Sequence, residues 1–308
     1  MRPLGRRRPV STSKGALTGH ARTHKTGAGP LLETRCYRTR MVDGADGLKR
    51  SRPTGISVVL PAYDEDANVG RMIDRALVVL SLQNELKHEI IVVDDGSGDR
   101  TAEIVGTFVD RYYPRVRLVR HLANQGYGAA LRTGFGHACH DLIFYTDADN
   151  QFDIGELAGF LSLIEHYDVV AGFRVRRYDP VHRVIASWVY NRLVRAAFRV
   201  AVRDVDCAFK LFRREVLDEI DIECTDFFID TELLVRARKA QFRIIEKGVQ
   251  HFPRLAGQTT VFPSDVPRTL RTLITMFYRT HRPSSKGAAA KPRHANGAFE
   301  VPPGPVAQ

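Results

Sequence analysis

The chain has 308 residues, 44% of them hydrophobic and 26% charged, and carries a formal net charge of +11. No stretch approaches the roughly 20 apolar residues of a membrane-spanning helix, and the basic start has no apolar run of the kind a secretory signal needs. The sequence therefore predicts a cytoplasmic protein with neither a signal peptide nor a transmembrane span, a peripheral place on the cytoplasmic face of a membrane staying open. Four cysteines, Cys36, Cys139, Cys207 and Cys224, lie far apart with no CxxC pair, which speaks against a zinc site and against a disulfide scaffold.

The charge sits at one end. Residues 1–54 hold thirteen Lys and Arg against Glu33, Asp43 and Asp46, and residues 283–308 hold three against Glu300, so the stretch between them is close to neutral. Both flanks lack a sustained apolar period and cannot bury enough surface to offset chain entropy. A disordered basic arm is expected over 1–54 and a disordered tail over 283–308. The arm lacks interleaved aromatics, and a polybasic segment of this kind is drawn to nucleic acid and anionic membranes alike, so no specific nucleic-acid partner is expected.

From residue 55 onward short apolar runs alternate with amphipathic stretches. Strands are predicted at 56–63, 88–95, 116–121, 141–149, 168–173, 207–212 and 242–249, with helical spacing at about 66–82, 100–112, 127–139, 154–166, 183–202 and 228–241. Strands alternating with helices predict an α/β fold with a mostly parallel sheet and helices on both faces. Ligands of such sheets bind beyond the carboxyl ends of the strands. Acidic residues follow three of these ends: Asp64, Glu65 and Asp66 after the first, Asp94 and Asp95 after the second, Asp147 and Asp149 after the fourth. Each has an ordinary reading as a helix cap or turn residue. Together they predict a site that needs a hard cation, Mg²⁺ or Mn²⁺, and a substrate diphosphate to complete its coordination.

The segments "ISVVLPAYDEDANV", "IIVVDDGSGDRT", "NQGYGAALRTGF", "YTDADNQFD", "VVAGFRVRR", "DVDCAFKLFRREVL" and "HFPRLAGQTT" occur in one order that resembles the family 2 glycosyltransferases of GT-A fold, in the branch similar to dolichol-phosphate mannosyltransferase. The resemblance runs from about residue 55 to 262. It implies a nucleotide-sugar-binding GT-A domain in which Pro61, Tyr63 and Glu65 line the nucleotide, with Val93 and Asp95 at its base and ribose. It further implies that Asp147, Ala148 and Asp149 hold the diphosphate and metal, that Gln151 is a further metal ligand, and that Arg174 and Arg254 lie beside the sugar diphosphate. Arg183 and Ser187 resemble contacts to an acceptor phosphate. Where the family commonly reads Gly-x-Ser-Lys after the arginine, this chain has Gly257-Gln258-Thr259-Thr260, one cation fewer near the phosphates.

These expectations describe an inverting glycosyltransferase moving a sugar from GDP-mannose or a UDP-hexose to a polyprenyl or dolichyl phosphate. Its catalytic residues would be Asp147, Asp149 and Arg174. A phosphate acceptor is already an anion at neutral pH and requires no general base, whereas a sugar hydroxyl would, with Asp206 the first candidate. Arg192, Arg195, Arg199 and Arg203 are spaced as one helical face opposite an apolar surface containing Val189, Leu193 and Phe198. This face and a second amphipathic helix over 263–282 are candidate contacts to an anionic membrane surface.

Overall fold

A computed structural model of the chain describes residues 52–176 and 181–254 together with Arg271, Ile274, Thr275, Phe277 and Tyr278, of which 181–183 and 186 are described as backbone only. The arm expected up to residue 54 is outside these residues as far as Ser51, and so are the tail, the Gly257–Thr260 segment and most of the helix expected at 263–282.

The first strand, β1 (Gly55–Ala62), is buried along its whole length, as a central strand covered on both faces must be. It pairs in parallel with β2 (Lys87–Asp94) on one side and β4 (Leu142–Thr146) on the other. Beyond β2 lies β3 (Val116–Arg120), and beyond β4 come β6 (Phe209–Arg213), β5 (Val169–Arg174) and β7 (Ile244–Val249), giving the seven-stranded order β3-β2-β1-β4-β6-β5-β7. Only β6 runs against its neighbours. The expected α/β architecture with a mostly parallel sheet is what the chain forms.

Helix α1 (Val69–Ser81) buries Val69, Met72, Ile73, Ala76 and Leu80, the three-and-four spacing of a helix lying on a sheet. α2 (Thr101–Tyr112) and α3 (Tyr127–His137) follow β2 and β3, and α4 (Leu157–Ile164) follows β4 after a 3₁₀ turn, Ile154–Glu156. The remaining helices are α5 (Val181–Phe198), α6 (Arg214–Glu219) and α7 (Ile229–Lys239). α6 was not expected from the sequence, because six residues carry too little periodicity to register. Cys207 and Cys224 are free thiols.

α5 corrects one expectation. The helix ends at Phe198 because Arg199 takes a left-handed backbone (φ 55°) and the chain then buries Val200, Val202 and Val205. Arg203 lies beyond the helix, with its guanidinium 4.4 Å from the centre of the Phe173 ring. Four arginines therefore do not form one helical face, and only Arg183, Arg192 and Arg195 belong to α5. The apolar surface divides as well. Val194 and Phe198 pack into the core, while Ile185, Trp188, Val189 and Leu193 are 57%, 61%, 43% and 46% exposed. Among the described residues no helix is long and apolar enough to cross a membrane.

Candidate active site

The strand order turns back between β1 and β4, since β2 and β3 lie to one side of β1 and the later strands to the other. A crevice at the carboxyl ends of the strands is expected at this reversal. The loops leaving β1 and β4 bring Tyr63 to Glu65 and Asp147 to Asp149 to that edge.

Of the three acidic clusters, the structure brings the first and third together. The Arg254 guanidinium donates to Glu65 Oε1 at 2.6 Å and to Asp149 Oδ2 at 3.1 Å. Its delivery is a property of the chain after β7. Phe152 and His251 form a β-bridge with their rings 5.0 Å apart, the Phe252 N–H donates to Gln151 O at 2.7 Å, and the Gln151 side-chain amide donates to Phe252 O at 3.0 Å. The two segments are stitched, and Arg254 follows two residues later.

Burial pushes the Asp147 carboxyl well above the usual carboxylate range, and the neighbouring Asp149, Asp230 and Glu65 add to the effect against a hydrogen bond from Tyr127. Glu65 is also raised, mainly by burial, with Asn68 and Arg254 opposing. Such a group of carboxylates is stabilised by added positive charge. Among the described residues no set of three or more His, Cys, Asp or Glu encloses a metal. Asp147, Asp149 and Gln151 carry oxygen donors of the hard kind that Mg²⁺ or Mn²⁺ takes together with phosphate and water; Asp149 Oδ1 accepts the Gln151 N–H at 3.0 Å and Oδ2 the Arg254 guanidinium. The residues present fit the ion.

The second acidic cluster bonds to its own and the following loop. Asp95 accepts the N–H groups of Gln125 and Gly126 at 2.9 and 2.8 Å, and His121 Nδ1 lies 2.6 Å from its Oδ1. Gly126 has φ 100°, and a Cβ there would meet the Thr225 carbonyl oxygen at 2.4 Å, so the loop that Asp95 anchors requires glycine. Asp94 accepts the Ser97 N–H at 3.0 Å and pairs with Arg120 at 2.9 Å. Asp64, at φ 51°, accepts the Gly98 N–H at 2.9 Å. Val93 is fully buried beneath Gly134, and Pro61 and Ala148 are buried too. Tyr63 is exposed there.

Arg174 ends β5 beside Asp204. Its guanidinium donates to both oxygens of Asp204 at 2.7 and 2.8 Å, the fork geometry of a strong pair. Asp204, Asp206 and Asp230 lie close enough to influence one another, and burial, with Asp230 and Asp204 behind it, pushes the Asp206 carboxyl up to about 7. Asp230 is buried, accepts the Tyr145 hydroxyl at 2.5 Å, and pairs with the fully buried Lys210. Tyr190 of α5 shares a 2.5 Å hydroxyl contact with Thr231. Asn191 donates to Ser187 O at 2.8 Å and accepts the Val205 N–H at 2.8 Å. Through these bonds α5, with Ser187 and the backbone of Arg183, sits over the Asp204–Asp206 loop.

Sequence reasoning missed Asp230, Lys210 and Tyr127. Asp230 reads as an ordinary first-turn acid of a helix, and Lys210 as the polar face of a strand. The available signal was a lysine inside an otherwise apolar run, which is rarely buried without a partner.

Residues 57–221 match the family described as Glycosyl transferase family 2. The chain belongs to that family. It is 34% identical over 239 residues to glycosyltransferase AglD of Haloferax volcanii, covering 73% of this chain and 36% of that protein. It is 30% identical over 226 residues to the undecaprenyl-phosphate 4-deoxy-4-formamido-L-arabinose transferase of Yersinia enterocolitica, covering 72% of this chain and 65% of that one. The chain thus spans about a third and about two thirds of these relatives' lengths. The crystal structure of glucosyl-3-phosphoglycerate synthase from Mycobacterium tuberculosis with Mn²⁺, UDP and glucosyl-3-phosphoglycerate superposes with a TM-score of 0.57 at 20% identity, covering 75% of this chain and 82% of that one. That likeness shows the shared GT-A fold.

Proposed function

We propose that this chain transfers a sugar, with inversion, from a nucleotide-diphosphate donor to a polyprenyl phosphate at the cytoplasmic surface of a membrane. The observation that carries the proposal is one juxtaposition. The acidic loop with Asp147 and Asp149 lies beside the Arg254 guanidinium, while helix α5 has no acidic residue in eighteen and exposes Ile185, Trp188, Val189 and Leu193. The named relatives that act on undecaprenyl phosphate support the acceptor class.

In this reading Asp147, Asp149 and Gln151 hold Mg²⁺ or Mn²⁺, which supplies Lewis-acid stabilisation to the departing diphosphate. Arg254 adds a guanidinium at the same loop. Arg174 acts one step removed, by fixing Asp204 and with it the loop under α5. Arg183 and Ser187 on α5 take the acceptor phosphate, whose own charge makes it the nucleophile. Trp188, a residue suited to the bilayer interface, lies on the same helix, and Tyr278 of the C-terminal segment is exposed beside Phe277, whose ring is 6.0 Å from Phe198. The Asp206 carboxyl, pushed up to about 7, favours a second reading, because a group titrating near neutrality is suited to deprotonate a hydroxyl acceptor.

Steady-state transfer to a short-chain polyprenyl phosphate and to simple sugars separates the two. For a phosphate acceptor, Arg183→Ala loses a charge-assisted contact of about 1.5–3 kcal/mol, or roughly ten- to hundredfold in acceptor use, with donor binding unchanged. Asp206→Asn then costs far less. An inactive Asp206→Asn with normal donor binding, beside a fully active Arg183→Ala, would overturn the phosphate acceptor and establish the hydroxyl.

A further inference from the structure

Glu65 was expected to line the nucleotide, and both oxygens of its side chain accept hydrogen bonds from within the protein. Oε1 accepts Arg254 at 2.6 Å, and Oε2 accepts the Asn68 amide at 2.7 Å. The Glu65 backbone N–H donates to Thr101 Oγ1 at 2.8 Å, and Asn68 is itself bound through its carbonyl to the Asn150 side chain at 2.8 Å, beside the metal loop. Glu65 is thus an acceptor that Asn68 holds on one oxygen and Arg254 on the other. That partner is shared, since the same Arg254 nitrogen reaches Asp149 Oδ2 at 3.1 Å.

We infer that Glu65 is a positioning residue that retains Arg254 while the guanidinium is exchanged between Asp149 and the donor diphosphate, so that cation and nucleotide bind interdependently. The inference rests on the metal and diphosphate reading above. A divalent cation at Asp149 and the guanidinium are like charges seeking the same carboxylate, so the cation alone meets repulsion. A diphosphate gives Arg254 a better partner, relieves Asp149 and adds oxygen ligands to the cation. Glu65 makes the shorter of the two contacts and keeps Arg254 at the loop as the exchange occurs. By linkage, whatever the nucleotide does to cation affinity, the cation does to nucleotide affinity.

The test is Mn²⁺ titration of the full chain, following the electron paramagnetic resonance of free Mn²⁺ alone and with UDP or GDP, for wild type, Arg254→Gln, Glu65→Gln and the double variant. Wild type is expected to bind Mn²⁺ weakly alone and more tightly with its nucleotide. Arg254→Gln should bind Mn²⁺ alone about tenfold more tightly and the Mn²⁺–nucleotide pair about tenfold more weakly. Glu65→Gln should weaken nucleotide binding in the wild-type background and change it by less than about twofold once Arg254 is gone. Unchanged or weaker Mn²⁺ binding by Arg254→Gln alone overturns the inference, and so do additive effects of the two substitutions on nucleotide affinity. If Glu65→Gln does not fold, the Arg254→Gln comparison decides, because that side chain is partly exposed and Gln keeps an amide donor for Glu65. Failure of wild type to bind Mn²⁺ with either nucleotide overturns the metal reading itself, and the inference with it.

Discussion

At the scale of single residues, the site contains carboxylates that differ in what their charge is for. Asp95 anchors its loop through His121 and two backbone N–H groups, whereas Asp149 faces the Arg254 guanidinium and Asp147 is held among like charges. Asp149→Asn keeps an oxygen for the Gln151 N–H and removes the charge. It should abolish transfer and metal-dependent stabilisation by nucleotide while shifting unfolding free energy by no more than about 1–2 kcal/mol, as thermal unfolding with and without Mn²⁺ and nucleotide will report. Asp206 makes a different prediction. Its folded-state carboxyl titrates near 7, above its unfolded value, so the native state binds the proton that the unfolded chain releases. Stability from this residue is present at acid pH and lost as pH rises from about 4 toward 7. Asp206→Asn removes that loss, and the variant should gain on wild type by about 2 kcal/mol between pH 5 and pH 8. Equal slopes of stability against pH in the two proteins would contradict the assignment.

At the scale of elements, α5 shows what sequence periodicity conveys and where it stops. Arginine spacing of three and four implied one long basic face, but the spacing continues past the point where Arg199 turns left-handed, and nothing in the pattern marks that end. The buried valines at 200 and 202 are two apart, the spacing of an extended segment, a cue overridden by the helical reading. The central strands were legible because β1 and the inner part of β2 are apolar on both faces. The acidic loops were legible because strand ends in a parallel sheet are where ligands bind. What could not be read was which acids are paired, since Glu65 and Arg254 are 189 residues apart in sequence and meet only through the stitch between the Gln151 loop and Phe252. The exposed stripe on α5 yields its own prediction. Trp188→Ala should leave stability within about 0.5 kcal/mol, because the side chain is mostly in solvent. It should weaken partition onto anionic vesicles about tenfold, the loss of one large apolar side chain from the lipid interface. Sedimentation with liposomes and a melting curve measure both, and unchanged sedimentation would remove α5 from the membrane surface.

At the scale of the whole molecule, charge and chemistry are segregated. Residues 1–50 hold twelve of the Lys and Arg and only three acids, while the residues of the candidate site all lie beyond them. A basic residue near an anionic surface contributes about 1 kcal/mol at low salt, and the contribution fades within a Debye length. Deleting residues 1–50 should therefore separate two properties of the chain. Affinity for the donor nucleotide with Mn²⁺ should stay within about twofold, since every residue of the candidate site lies beyond the deletion. Binding to anionic vesicles should fall by at least about a hundredfold at low ionic strength and lose most of its salt dependence, leaving the weaker, salt-insensitive binding owed to the apolar stripe of α5. Salt titrations of vesicle binding on the full and shortened chains measure the difference in slope. Equal slopes would assign the electrostatic attraction to Arg192, Arg195 and Arg271, and loss of nucleotide affinity in the shortened chain would make the arm part of the catalytic fold.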